Sequence, residues 1–390
     1  MNIRHWKSRL RLGIELVALI AFIVVGGMVI LSPTLPPSPA DVETLTEARY
    51  YTKLDSKQVQ CQLCFRRCTI AQGQRGECGA RENREGTLYS LVYGQPCAIQ
   101  IDPVEKEPLF HMLPTTKTLC LGTAGCNFKC TFCQNWQISV RTPEETNNVS
   151  LPPEEAVNKA IELGCSSMSF TYNEPTVFYE YMYDVTKLAQ ERGLWTYFHT
   201  NGALNPEPLR ELLKHMDAVC VDLKGFTPEF YQETSNSELE PVLSTLKIIK
   251  EEGVHLEVVN LVIPTLNDNP KDIEDMCHWL RDNLGEEVPL HFSRFFPTYK
   301  LLKLPPTPIE TLEKAREIAL DAGLNYVYIG NVPGHVANST FCPQCGQTLI
   351  WRAHFSVISN QMKEGRCPFC DHQIPGIWES GIRAGEKKSK

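Results

Sequence analysis

Cys126-Asn-Phe-Lys-Cys130-Thr-Phe-Cys133 is the stretch on which the fold turns. Three thiolates at C-x3-C-x2-C spacing can hold three corners of an iron–sulfur cubane, which leaves the fourth iron without a protein ligand. A structural zinc site wants four ligands, usually as two C-x2-C knuckles. Here the run supplies three, and Gln134-Asn-Trp136 adds no further thiolate. A zinc knuckle completed by a distant ligand is the competing interpretation. The loop follows an apolar, strand-like run, Thr118-Leu-Cys-Leu121, then Gly122 and Gly125, whose missing side chains let backbone approach a ligand closely. Phe132 sets an aromatic face just before the third cysteine, suited to shielding a cluster or stacking on an adenine.

Working outward, strand-like and helix-like runs alternate from Thr118 onward. Strands are predicted over 118–122, 166–172, 195–200, 218–223, 255–263, 289–295 and 325–329. Helices are predicted over 152–163, 176–192, 206–215, 239–252, 270–284 and 307–322, and Gly164, Gly193, Gly253 and Gly323 follow four of them, where a helix-ending glycine belongs. Such alternation implies parallel β/α units, and six or so of them suggest an α/β chain with a partial (β/α)6-type barrel. Ligand residues then belong at the carboxyl ends of strands. Polar sets do recur there: Glu174 in Thr171-Tyr-Asn-Glu174-Pro, Asn201 in Thr200-Asn-Gly202, Asp222 and Lys224 in Asp222-Leu-Lys224-Gly, and His291 in Pro289-Leu-His291-Phe. His111, Arg294 and Tyr299 are weaker candidates for a substrate pocket.

The loop and its aromatic resemble the radical S-adenosylmethionine (SAM) superfamily. The preceding stretch Cys97-Ala-Ile-Gln-Ile-Asp-Pro-Val-Glu-Lys-Glu-Pro-Leu-Phe-His111 is similar to the radical SAM enzyme of the AmmeMemoRadiSam system, a relative of the pyruvate formate-lyase activating enzymes. The resemblance runs over residues 50–378. It implies a [4Fe-4S] cluster on Cys126, Cys130 and Cys133, with SAM chelated to the open iron. One-electron reduction would then cleave SAM to methionine and a 5′-deoxyadenosyl radical that abstracts hydrogen from an unidentified substrate. It further implies that Glu174 meets the SAM amino group, although Tyr172 and Asn173 replace the family's two glycines. Asn201 and Phe132 would help bind SAM, Asp222 and Lys224 would face the methionine moiety or the substrate, and His291 would match a sixth-strand histidine near SAM. Implied partners are a flavodoxin- or ferredoxin-type reductant and Memo-like and AMMECR-like proteins. Activation of a glycyl-radical enzyme is the nearer alternative. A non-catalytic iron–sulfur and zinc electron-transfer membrane protein is the alternative from another class, and it leaves a three-cysteine open site unexplained.

The chain has 16 cysteines, and their grouping matters more than their number, because most fall in metal-type spacings and not in a short secreted disulfide scaffold. Cys342-Pro-Gln-Cys345 and Cys367-Pro-Phe-Cys370 are two matched knuckles across a hairpin-like span, which predicts a zinc ribbon binding Zn2+. Cys61, Cys64, Cys68 and Cys78 sit in C-x2-C-x3-C-x9-C spacing, which suits either zinc or a second iron–sulfur cluster. Cys97, Cys120, Cys165, Cys220 and Cys277 are scattered.

The net charge of −8 over 390 residues gives no sign of a nucleic-acid-binding surface. Residues 16–31 form an unbroken apolar run behind Arg4, Lys7, Arg9 and Arg11, which predicts a single-pass membrane helix at the short limit of a span. A cleavable signal peptide is the rival. The basic flank would send the enzyme outside, whereas low-potential electrons and SAM favour the cytoplasmic side. The expected organisation is a membrane anchor over 1–32, a Pro-rich linker over 33–50, a Cys-rich module over 51–112, a core over 113–334, the ribbon over 335–378 and a charged tail over 379–390.

Overall fold

The computed structural model describes residues 45–378. Its centre is one eight-stranded sheet: β1 (Ala98–Pro103), β2 (Lys117–Gly122), β3 (Ser167–Phe170), β4 (Trp195–Thr200), β5 (Ala218–Asp222), β6 (His255–Val262), β7 (Leu290–Arg294) and β8 (Val327–Gly330). The strands lie side by side in chain order. From β2 to β8 every pairing is parallel, with Leu121 opposite Phe170, Phe170 opposite Phe198 and Val259 opposite His291. The edge strand β1 runs antiparallel to β2. The sheet therefore carries seven parallel strands and an antiparallel edge, against the six or so units expected.

The parallel strands are near-continuous apolar runs because both faces are covered. Between them lie α1 (Pro153–Glu162), α2 (Tyr179–Glu191), α3 (Pro206–Leu213), α4 (Pro228–Ser235), α5 (Glu240–Glu252), α6 (Pro270–Leu284) and α7 (Ile309–Asp321). Each helix buries a stripe at helical spacing, such as Val242, Leu246 and Ile249 on α5, while its charged face stays outside. Gly253 ends α5 in the left-handed region at φ 69°, releasing the chain into β6. On the other face, Val104, Leu109, Met112 and Leu113 pack onto Tyr197, Ala218, Cys220 and Val259, so the segment after β1 fills the inside of the sheet.

Two smaller units flank this core. Residues 46–90 make two three-stranded antiparallel sheets. At the other end, β9 (Thr340–Phe341), β10 (Thr348–Ala353) and β11 (Ser356–Asn360) form a third. Leu349 and Ile350 of that sheet pack against Phe110 and Tyr328. Arg352, fully buried, donates to the Phe110 carbonyl at 2.7 Å and to Thr340 Oγ1 at 2.8 Å.

The expected single-pass membrane placement is corrected. Among the described residues no helix is long and apolar enough to cross a membrane. A span needs about 20 apolar residues, whereas the longest described helix, α6, has 15 and is heavily charged. The stretch 16–31 that prompted the expectation, the linker up to residue 44 and the tail 379–390 lie outside the described residues.

Candidate active site

The cysteine loop leaves the carboxyl end of β2, where the sheet presses it against β3. A Cβ on Gly122 would lie 2.9 Å from the Thr171 carbonyl oxygen, so only glycine fits that approach. Asn173 then staples the loop: its Oδ1 accepts from Thr123 N at 3.1 Å and its Nδ2 donates to the Gly125 carbonyl at 2.7 Å. Tyr172, standing where the resembled family has a glycine, takes a left-handed φ of 74°. That backbone costs roughly 1–2 kcal/mol for a non-glycine residue. It is held by Asn135 Nδ2 on the Tyr172 carbonyl at 2.6 Å and by Tyr172 Oη on Asp102 at 2.9 Å.

From the far side the end of α4 clamps the loop. Lys129 N donates to the Ser235 carbonyl at 2.9 Å and Thr131 N to the Thr234 carbonyl at 2.8 Å. The three thiols are half-buried and free of disulfides. Cys126 Sγ accepts from Phe128 N at 3.4 Å and lies 4.0 Å from Asn201 Nδ2, which also donates to Asn127 Oδ1 at 2.8 Å. Cys130 Sγ lies 3.4 Å from Ser235 Oγ. Burial pushes the Cys126 thiol up, and the nearby Glu174 and Cys130 add to it. Burial also raises Cys130, but Lys224 and Ser235 pull against it. Lys224 is therefore the cation that favours a thiolate at Cys130.

Glu174 is buried and its two oxygens are shared among three residues. Oε1 accepts from Thr176 N at 2.9 Å, from the Thr176 hydroxyl and from Thr200 Oγ1 at 2.8 Å, and Oε2 accepts from Asn201 N at 2.7 Å. The carboxylate thus ties the exits of β3 and β4 together beside Cys126. Burial pushes its pKa up against the pull of these donors.

At the exit of β5, Asp222 bonds Lys224 Nζ at 2.8 Å and His199 Nε2 at 3.0 Å. Burial alone would raise the Asp222 carboxyl, but Lys224 and His199 together hold it below the usual carboxylate range. For His199 burial works downward, yet Cys220 and Asp222 outweigh it and raise its pKa. Lys224 Nζ also sits 5.9 Å from the centre of the Phe132 ring, within cation–π range, and Phe132 faces Phe230 of α4 at 6.1 Å.

The structure therefore gathers Cys126, Glu174 and Asn201 on one side and Cys130, Phe132, Lys224 and Asp222 on the other. His291 has different neighbours: Nε2 bonds Glu257 at 2.7 Å, and the ring stacks on Tyr328 at 4.9 Å and meets Phe110 edge-on. His111 joins the same group through Tyr328 Oη at 2.7 Å, and burial lowers its pKa to about 4. Arg294 donates to the Thr307 carbonyl at 2.8 Å, while Tyr299 stacks on Trp136 at 5.5 Å just after the loop.

Several site residues escaped sequence reasoning. Asn127 is an unmarked loop residue, and Ser235 ends a helix that was not foreseen. Glu107, Asp102 and Cys120 form a tight set on the inner face of the sheet, with their ligand atoms within 4.8 Å of one another. Glu107 is buried, its Oε2 has no hydrogen-bond partner, and burial pushes its pKa up. A charged pair in Glu105-Lys-Glu107 is the kind of signal that usually marks a solvated turn. Cys342, Cys345, Cys367 and Cys370 also bring their sulfurs within 4.8 Å of one another, a group able to bind a metal.

Comparison with known proteins identifies relatives of this chain. Residues 121–280 match the Radical SAM superfamily. The uncharacterized protein MJ0808 of Methanocaldococcus jannaschii is 48% identical over 332 residues, covering 85% of this chain and 99% of that one. A pyruvate formate-lyase-activating enzyme of Clostridium pasteurianum is 23% identical over 167 residues, 40% of this chain and 67% of that one. A radical SAM methyltransferase of known structure from Sphaerobacter thermophilus is 17% identical, with a TM-score of 0.45 over 60% of this chain and 71% of that one. The chain belongs to the radical SAM superfamily and is related to the pyruvate formate-lyase activating enzymes. Membership implies a [4Fe-4S] cluster and SAM. The donor set suits that cluster: three thiols on a loop clamped from two sides, with the Lys224 cation, the Ser235 hydroxyl and the Asn201 amide beside them.

Proposed function

We propose that the chain is an enzyme that uses a cluster on Cys126, Cys130 and Cys133 to cleave SAM reductively and take a hydrogen atom from a substrate inside the sheet. When bound, the two groups supply a 5′-deoxyadenosyl radical by one-electron cleavage of SAM. The observation that carries the proposal is the gathering of three thiols with Glu174, Asn201 and Lys224 at adjoining strand exits.

The chain's own residues bind and shield. Glu174 fixes the Thr200 hydroxyl and the Asn201 backbone N–H, which holds the Asn201 side chain beside Cys126. Lys224, charged and paired with Asp222, offers a fixed cation for a carboxylate such as that of SAM. Phe132 and Phe230 form an apolar wall that excludes water. The inner-face set of Glu107, Asp102, Cys120 and His199 supplies polar groups to orient a substrate. His291 supports this interior through Glu257. Zn2+ fits the four closely spaced ribbon cysteines as a closed structural site. A flavodoxin- or ferredoxin-class protein is the proposed electron donor. The likeness to a pyruvate formate-lyase-activating enzyme supports a second possibility within the same chemistry, a glycyl position on a partner protein as the hydrogen donor.

Adding SAM to the anaerobically reconstituted, dithionite-reduced protein is expected to change the electron paramagnetic resonance spectrum of its cluster. A plain electron-transfer protein predicts a spectrum indifferent to SAM, and that outcome would reject the proposal.

A further inference from the structure

We propose that Cys61, Cys64, Cys68 and Cys78 hold a second iron–sulfur cluster, and that it feeds electrons to the site on residues 126–133. The two four-cysteine groups of this chain differ in how their sulfurs stand. A zinc ion with Zn–S bonds of about 2.3 Å sets neighbouring sulfurs roughly 3.8 Å apart. The ribbon meets that spacing, with Cys342 and Cys370 at 3.6 Å and Cys345 and Cys367 at 3.7 Å. The 61–78 group does not: no three of its sulfurs come within 4.8 Å of one another among the described residues. Its four cysteines instead line one common hollow. A cubane places four irons and four sulfides among its thiolates, so it needs wider sulfur spacing than one ion does.

The walls of the hollow suit an anionic cluster. Arg81 is one of them, buried and ion-paired with Glu180, and its Nη1 lies 3.7 Å from Cys61 Sγ. The buried Arg81 Nε has no hydrogen-bond partner in the protein. A buried cation with an unspent N–H beside the thiols stabilises negative charge on a cluster and its sulfurs.

The module also lies directly against the 126–133 loop. A Cβ on Gly125 would fall 2.3 Å from the Cys78 carbonyl oxygen, so loop and module touch backbone to backbone. Arg66 Nε donates to the Asn127 carbonyl at 2.6 Å, and Lys129 Nζ donates to the Glu77 carbonyl at 2.9 Å. Asn127 lines the hollow on one side and bonds Asn201, next to Cys126, on the other. Asn127 therefore bridges the two cysteine groups. In the relay, a ferredoxin- or flavodoxin-class carrier loses one electron to the second cluster, which returns to its oxidised state by passing that electron to the first. No bond or proton moves. The relay rests on the function proposed above, whereas the metal content of the module does not.

Iron, acid-labile sulfide and zinc counts on the reconstituted full chain test the assignment. About eight irons, eight sulfides and one zinc per chain are expected, and a triple Cys126→Ala, Cys130→Ala, Cys133→Ala variant should keep about four irons and four sulfides. Four irons and two zincs in the parent chain, with none of the iron surviving in the triple variant, would overturn it. Equal counts of four irons in both proteins would uphold the second cluster while rejecting the function proposed for the loop. For the relay, a Cys64→Ala, Cys68→Ala variant should still cleave SAM with dithionite but lose cleavage driven by reduced ferredoxin. Undiminished ferredoxin-driven cleavage would rule the relay out.

Discussion

Replacing Cys130 with alanine is expected to abolish SAM cleavage. Cys130 is the thiol that Lys224 and Ser235 support, and the chain on both sides of it is pinned to the Ser235 and Thr234 carbonyls. Removing the sulfur leaves the loop in place but with two ligands. A neighbour that only orients a ligand typically contributes 10–100-fold. Ser235→Ala is therefore expected to lower activity by roughly that factor, whereas Cys130→Ala should fall to the rate without enzyme. The check is 5′-deoxyadenosine formed per chain by the two variants under dithionite, beside their iron content. Full product from Cys130→Ala would exclude this thiol as a cluster ligand.

The second large effect is on stability. Glu257→Leu is expected to cost about 3–5 kcal/mol, because a buried carboxylate leaves its partners uncompensated when it is removed. Its oxygens accept from His111 N at 2.8 Å, Phe110 N at 3.1 Å, His255 at 3.1 Å and His291 at 2.7 Å. These bonds join the segment after β1 to β6 and β7, so the loss would loosen the inner face of the sheet as a whole. Burial pushes against the charged form, but His255 and His291 together hold the Glu257 carboxyl well below its ordinary value. A depressed carboxylate gives its full stabilisation above the unfolded pKa of about 4.3 and loses it as pH falls through the lower folded value. Denaturant unfolding should thus show the whole deficit at pH 7 and a shrinking one in acid. A deficit under 1 kcal/mol at pH 7 would contradict this account of the site.

Much of the architecture was legible because parallel strands and amphipathic helices print their periods directly. The runs predicted at 195–200, 255–263 and 270–284 differ from the observed elements by no more than a residue at either end. The antiparallel strand β1 was hidden in Ala98-Ile-Gln-Ile-Asp-Pro103, where Gln100, Asp102 and Pro103 break the apolar run. The helix α4 was hidden because the adjacent aromatics Phe230 and Tyr231, followed by the polar run Gln232-Glu-Thr-Ser235, blur the helical pattern, yet it provides Ser235. The site was legible as far as residue type and strand position could carry it. What sequence lacks is which partners a polar side chain spends its bonds on. Glu174 is spent on Thr176, Thr200 and Asn201, and His291 on Glu257, a carboxylate concealed in the apolar run of β6. The sulfur spacing that separates the 61–78 module from the ribbon is likewise a property of the folded chain, since both have four cysteines in plausible metal-binding spacings.

If the loop is the site where SAM is cut, its products report it directly. Anaerobically reconstituted wild-type protein, reduced with dithionite in the presence of SAM, should yield methionine and 5′-deoxyadenosine in equal amounts. A protein carrying its full iron and sulfide that yields neither would contradict the claim.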